Sequence, residues 1–421
     1  MKKIQGTGEY DIGYVTPWSF PNYGTALTQF SMYQILKEYG LSVLMIERPL
    51  SANSKPSSRP LMYRQYPYRE EEMSPLLPNL KSMYSLNDKC KMFLLGSDQL
   101  FNNYLYNLFG RFVTLDWVRD NKRKVGFATS FGFDFIFGSE FDRAEMQRCL
   151  NKFDAVSTRE MSGVELLQRE FGIQGCFVLD PVFLCDINCF YGIAARSSYI
   201  VPDAPYYFAY ILDPNEDKQL ALEEIENTTH KHVIVISDAE RTIEDTMTRW
   251  TFPTVSSKDI KVEEWLKLLI HSDGVITDSF HGTCFALVFE KVFITLANRI
   301  RGVTRFDTIL TVSGQKERLL FEDGYGRASK LLQVDIDYHQ INKIFEPYKQ
   351  KSRKWLEDNL MGDYSKKGLS DYDKLNIRMD LLEDVLLARL SALSEMVAKN
   401  KSRSEKLLDR RSKNVHNPGK R

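Results

Sequence analysis

Gly274-Val275-Ile276-Thr277-Asp278-Ser279-Phe280-His281-Gly282 runs from an apolar strand into a polar turn that carries a histidine. A small-residue apolar helix follows as far as Lys291, and Val292-Phe293-Ile294-Thr295-Leu296 resumes as a strand. Strand, turn, helix and strand make a βαβ unit, and the turn lies at the carboxyl edge of a parallel sheet, where such sheets bind ligands. The pattern makes His281 a candidate site residue, with a satisfied core histidine as the alternative.

The same rhythm extends upstream. Strand 207–212, helix Glu216–Thr229, strand 232–236 and helix Val262–His271 lead into this unit. An earlier series has strands at 10–16, Val43–Ile46, 91–95, 125–130, 155–158 and 176–179, and the proline-bearing linker 200–205 separates the two. The expected fold is therefore α/β, with two Rossmann-like domains facing across a cleft. Expected boundaries are residues 1–200 and 201–337, the second domain carrying the histidine turn, followed by a helical extension and basic tail over 338–421.

Polar groups gather at the strand ends of this scheme. Asn22, Tyr23 and Gly24 open the first long helix, whose free N–H groups suit an anion, although a plain connecting loop reads equally well. No G-x-G-x-x-G is present, which disfavours a dinucleotide. Ser97, Asp98 and Gln99 follow Gly96, with Asn102 and Asn103 beyond, and suit hydrogen bonding to a polyol or phosphate; a helix cap is the alternative. Arg159 can fork onto a carboxylate or phosphate, or pair with Glu160 or Asp180. Arg299, Arg301 and Arg305 form a basic cluster just behind the His281 unit. The irregular stretch 51–88 reads as a lid.

The chain has 421 residues, 43% of them hydrophobic, enough for a sizeable core. Lys+Arg and Asp+Glu balance at 56 each, so no overall field favours nucleic acid and a charged ligand needs a local cluster. Six scattered cysteines without a C-x-x-C pair read as reduced thiols of a cytoplasmic protein. No stretch is apolar enough for a signal peptide or membrane span. Near the end, Leu381, Leu382, Val385, Leu386, Leu390, Leu393 and Val397 form an apolar stripe ahead of a basic tail from Lys399. This reads as a packed helix or short coiled coil, or as a peripheral attachment to the anionic inner face of a membrane.

Five motifs in order carry a family resemblance: Asn22-Tyr23-Gly24, Gly96-Ser97-Asp98-Gln99, Ser157-Thr158-Arg159-Glu160, Leu179-Asp180-Pro181-Val182-Phe183-Leu184 and Thr277-Asp278-Ser279-Phe280-His281-Gly282. Together they resemble the polysaccharide pyruvyl transferases. The resemblance implies a fold like the GT-B glycosyltransferases. It also implies transfer of pyruvate from phosphoenolpyruvate to a sugar of a cell-surface polysaccharide or its lipid-linked precursor, as a cyclic ketal. It gives His281 the donor contact and proton transfer, Arg159 a basic role from the opposite domain, and Arg305 the place of a family Ser-Arg pair whose serine is Thr304 here.

Some members read Arg-Leu-His-Gly where this chain has Ser279-Phe280-His281-Gly282, so the expected cationic help comes from Arg159, Arg299, Arg301 or Arg305. Pro21 stands where some members have glycine. No cofactor and no metal are expected: the D-x-D pairs Asp335/Asp337 and Asp371/Asp373 lie late, away from the expected cleft. The competing functions are a nucleotide-sugar glycosyltransferase on the same architecture and a non-catalytic glycan-assembly subunit.

Overall fold

The computed structural model describes residues 4, 8–16, 22–46, 72–75, 77–102, 112–136, 138–237, 250–256, 259–362 and a set of helical positions between 375 and 397. The expected lid is mostly outside the described residues, as are Pro21, Asn103, Asp371, Asp373, Leu381 and the basic tail.

Two all-parallel six-stranded sheets make up the main unit. The first contains β1 (Tyr10–Val15), β2 (Val43–Ile46), β3 (Cys90–Leu95), β4 (Arg123–Thr129), β5 (Ala155–Thr158) and β6 (Cys176–Phe177), ordered β2-β1-β3-β4-β5-β6. The second contains β7 (Tyr206–Ile211), β8 (His232–Ser237), β9 (Thr254–Ser256), β10 (Gly274–Thr277), β11 (Val292–Leu296) and β12 (Leu319–Leu320), ordered β12-β11-β10-β7-β8-β9. The inner strands are short apolar runs buried on both faces, as parallel sheets require, while β9 at the edge of the second sheet is only partly buried. β9 and β12, of three and two residues, are too short for the sequence pattern to show.

Each sheet reverses its winding once. β1 pairs with β2 on one side and β3 on the other, and β7 likewise lies between β8 and β10. Open α/β sheets bind ligands outside the strand ends at such a switch point. In this chain those ends carry Gly96-Ser97-Asp98 in one half and Leu212-Asp213 with Asp278-Ser279 in the other.

Compact packing groups Met1–Lys366 as one unit and Lys367–Arg421 as another, so the first holds both sheets and the helix Tyr338–Met361. Tyr23 stacks on Trp265 with ring centroids 5.4 Å apart, and Phe190 meets Phe285 edge-on at 5.1 Å. Helix Tyr338–Met361 follows the second sheet but returns to the first half. It places Phe345 5.2 Å from Phe183 and Trp355 5.9 Å from Phe127.

All six cysteines are unpaired, and burial pushes the Cys90 thiol up to about 12 and Cys149 to about 11. Among the described residues, no helix is long and apolar enough to cross a membrane.

Candidate functional site

The Thr277–Gly282 turn is built from its own side chains. Thr277 Oγ1 donates to the Tyr210 carbonyl (2.7 Å) and accepts from the Ser279 N–H (3.0 Å). Ser279 caps helix Phe280–Val288 by accepting from the Gly282 N–H at 3.3 Å. A Cβ on Gly282 would collide with Thr277, so only glycine lets the helix start this close to its strand. Asp278 anchors the turn from below, accepting from the Leu212 and Asp213 N–H groups and from Lys218 Nζ at 2.7 Å.

This geometry drives His281 out of its own half and against the other. Its ring lies on Gly24, where a Cβ would strike the imidazole, so the starts of helices Tyr23–Glu38 and Phe280–Val288 meet head to head. Nε2 of His281 is 3.1 Å from Arg159 Nη1 and 3.6 Å from Asp180 Oδ2. A guanidinium has no acceptor, so an unprotonated Nε2 accepts from Arg159, whereas a protonated Nε2 faces the Asp180 carboxylate.

Arg159, just past β5, is the hub. Nη1 lies 2.7 Å from Asp180 Oδ2 and 3.1 Å from Ser97 Oγ, and Nη2 donates to Asp98 Oδ1 at 3.1 Å. Nη1 has two hydrogens and three acceptors in reach, so His281, Ser97 and Asp180 compete for it. Among the described residues, Arg159 Nε is buried without a hydrogen-bond partner. Burial opposes charge on the guanidinium, but Asp180, Asp98 and Glu160 hold its proton more firmly than usual.

The carboxylates are tuned in opposite directions. Burial works against ionisation of Asp180, yet His281, the Arg159 guanidinium and the Thr28 hydroxyl (2.6 Å) hold its carboxyl well below the usual range. Asp98 is likewise opposed by burial and lowered by Arg159, His281 and the Thr25 hydroxyl, 2.7 Å from Oδ2. Asp98 sits at φ +122°, a strained conformation for a residue with a side chain, kept by the Ser130 N–H bonding its carbonyl at 2.8 Å. Glu160 behaves differently: burial pushes its carboxyl up against the pull of Arg159 and Arg305. Its Oε1 accepts from the Phe131 N–H at 2.7 Å, and among the described residues Oε2 is buried with no partner.

Arg305 is the second buried guanidinium, and it shares the Phe280 ring with Arg159, at 5.4 Å and 4.7 Å from the centroid. Nη2 donates to the Arg301 carbonyl at 2.7 Å. The Gln99 carboxamide, with its oxygen turned to the guanidinium, accepts from both terminal nitrogens at 2.6 Å. Among the described residues no carboxylate forms a salt bridge with Arg305, and burial, with Arg159 close by, brings it down to about 9.

His281, Arg159, Ser97, Asp98, Gln99 and Arg305 thus come together as a set. Other expected site residues are engaged elsewhere. Asn22 caps helix Tyr23–Glu38 by accepting from the Thr25 N–H at 3.1 Å. Tyr23 is buried and donates to the Ile260 carbonyl at 2.6 Å, and Ser279 is a cap. Arg301 Nε is held by Asp213 at 2.6 Å. Arg299 is 66% exposed and lies over the Phe321 ring.

Sequence reasoning left Asp180, Thr25 and Thr28 out of the site. The signal was an aspartate fixed by Pro181 directly after a strand, which places a carboxylate at the sheet's carboxyl edge. Of the D-x-D residues, Asp337 caps helix Tyr338–Met361 through the Gln340 N–H. Asp116, Glu145 and Cys149 lie within ligating distance of one another. Arg148 and Lys152 already occupy Asp116, and Arg148 also holds Glu145, so the acids meet cations of the chain itself.

Three solved structures illustrate what the chain is similar to. The wall teichoic acid polymerase TagF shares 12% identity and covers 90% of both chains with a TM-score of 0.42. Arabidopsis thaliana UGT89C1 shares 8% identity over 84% of this chain and 100% of its own, TM-score 0.46. The S. aureus MnaA–UDP complex shares 10% identity over 86% and 100%, TM-score 0.48. No curated protein matches the sequence. Residues 22–299, a span that takes in every group of the buried cluster except Arg305, match the family described as Polysaccharide pyruvyl transferase, and the chain belongs to that family.

Proposed function

We propose that the chain transfers pyruvate from phosphoenolpyruvate to a sugar of a cell-surface polysaccharide or its lipid-linked precursor, forming a ketal, with His281 as the acid and base. The observation that carries this reading is His281 itself: a titratable ring, brought by one half of a pyruvyl transferase family chain against the buried arginine of the other.

The enol methylene carbon of the donor must gain a proton. The electrophilic carbon so formed takes two sugar hydroxyls, and the C–O bond to phosphate breaks. Imidazolium at position 281 supplies the proton to carbon, and the imidazole left behind accepts one from an attacking hydroxyl. The second hydroxyl proton leaves with phosphate, so the protons balance. Histidine suits both steps because its ordinary pKa, about 6.5, lies near neutrality.

The anionic donor needs positive charge that is not already cancelled. Arg159 is balanced by Asp98 and Asp180, whereas the terminal nitrogens of Arg305 meet a carboxamide and a carbonyl, and its Nε is buried with no partner among the described residues. Arg305 is therefore the clamp we assign to the donor carboxylate or phosphate, in place of the arginine that Ser279 replaces. Gln99 releases it on binding. His281, Arg159 and Arg305 are all at least nine-tenths buried, so the donor reaches them after a movement that uncovers them. The donor's metabolic source makes the cytoplasm the working compartment.

The test is incubation of the purified protein with phosphoenolpyruvate and free or lipid-linked oligosaccharides. Phosphate release with a matching mass gain on the glycan supports the reading. Turnover with a nucleotide sugar instead makes the protein a glycosyltransferase, and glycan binding without turnover makes it an assembly subunit.

A further inference from the structure

The second unit, Lys367–Arg421, carries apolar residues that are exposed at its described positions. At every described position between 375 and 397 the chain is helical. Leu375, Leu382, Leu386, Leu390, Leu393 and Val397 are each more than half exposed, as is Met396 beside them. In the sequence, apolar residues stand at 375, 379, 382, 386, 390, 393 and 397, Met379 lying outside the described residues. The gaps in this stripe are four, three, four, four, three and four, two consecutive 11-residue repeats.

Two properties of that spacing point to a partner. An 11-residue repeat gives about 3.67 residues per turn, close to an unstrained helix, so the stripe runs nearly straight and needs no left-handed supercoil. The order of gaps is also the same read from either end, with Leu386 at the centre. A second copy laid antiparallel therefore sets Leu375 level with Val397, Met379 with Leu393, Leu382 with Leu390, and Leu386 with itself. A two-fold axis through Leu386 gives an isologous contact that closes at two chains.

Charge selects the same arrangement. Residues 371–384 hold Asp371, Asp373, Asp380, Glu383 and Asp384 against Lys374 and Arg378. The segment after the stripe, 399–411, holds six lysines and arginines against Glu405 and Asp409. Antiparallel pairing about Leu386 sets Asp371 level with Lys401, Asp373 with Lys399 and Glu383 with Arg389, opposite charges each time, whereas in-register parallel pairing sets each charge beside its own copy. An anionic membrane is disfavoured as the cover because the helix itself carries more acid than base, where membrane-surface helices are basic.

We propose that residues 375–397 form an antiparallel helix pair with a second copy of this chain, making the protein a homodimer. The interface is separate from the buried cluster around His281, and the proposal stands whatever reaction that cluster performs.

Light scattering on the full-length protein tests the state directly, with two chains per particle expected. Leu386→Glu places two carboxylates on the axis and is expected to give one chain per particle with turnover retained. Leu386→Cys tests geometry and folding together: mild oxidation should link two chains at this position, above the level seen for the six native cysteines. Leu375→Cys should not link, because its copies lie about 33 Å apart at 1.5 Å per residue. A single chain at every concentration overturns the proposal, as does a Leu375→Cys cross-link as efficient as that at 386. So does a single chain that binds phosphatidylglycerol vesicles and loses them on Leu386→Glu.

Discussion

His281 Nε2 and Arg159 Nη1, 122 residues apart in sequence, are 3.1 Å apart in space and follow strands of different sheets. Arg159 in turn reaches Asp180 and Asp98, so a single buried network joins the carboxyl edges of both halves. Removing any member changes both the chemistry available and the hold between the halves.

His281→Gln keeps a polar group of similar size against Gly24 and Arg159 but cannot shuttle a proton. Turnover of phosphoenolpyruvate should fall about 10²- to 10⁴-fold, the usual contribution of a general acid–base group. Phosphate release measured against acceptor concentration checks this, and an unchanged rate removes His281 from the acid–base role.

Arg159→Met leaves Asp180 and Asp98 facing each other without their cation. Breaking one partner of a buried pair costs about 3–5 kcal/mol. Urea denaturation should show that loss, and Asp180→Asn in the Arg159→Met background should recover part of it because the orphaned charge is gone.

Asn22→Ala distinguishes a cap from a ligand contact. The structure has Asn22 accepting from the Thr25 N–H, so the variant should lose about 1 kcal/mol of stability with an unchanged KM for the donor. Asn22→Ser should restore the stability. A raised KM that Asn22→Ser fails to rescue would instead place Asn22 on the substrate.

Acid should unfold the protein through Asp180 and Asp98, whose folded pKa values lie below their unfolded ones. Their stabilisation is complete above the unfolded carboxylate pKa of about 4 and is lost as pH falls through the folded values. Glu160 acts in the opposite sense: its folded pKa is raised, so its contribution is present at low pH and is lost as pH rises through that value. Glu160→Gln keeps the acceptor for the Phe131 N–H and cannot ionise. It should therefore be more stable than the wild type at neutral pH, by thermal melting, with the gap closing toward pH 4.

Much of the fold was readable because parallel strands buried on both faces must be apolar throughout, and helices between them must start at polar turns. β2, β11 and helix Val262–His271 fall where the pattern puts them. The site was harder. Arg159 had two readings, ligand fork and ion pair with Asp180, and only the distance of 2.7 Å shows that the pair exists. Arg301 and Arg305 looked alike in sequence, four residues apart. One is neutralised by Asp213 and the other is buried against a carboxamide, a difference made by residues 88 and 206 positions away.

The sequence by itself determined two parallel α/β series, the histidine turn at a strand end and the family motifs, because strand burial and helix starts are local demands on residue type. Tertiary structure alone decided which charges cancel. The meeting of Gly24 with His281, the sharing of Arg159 among Asp98, Asp180 and the imidazole, and the placing of Arg305 against a carboxamide depend on how the carboxyl edges of two sheets come together. Coulomb energy depends on that distance and burial, and neither is written in any one segment.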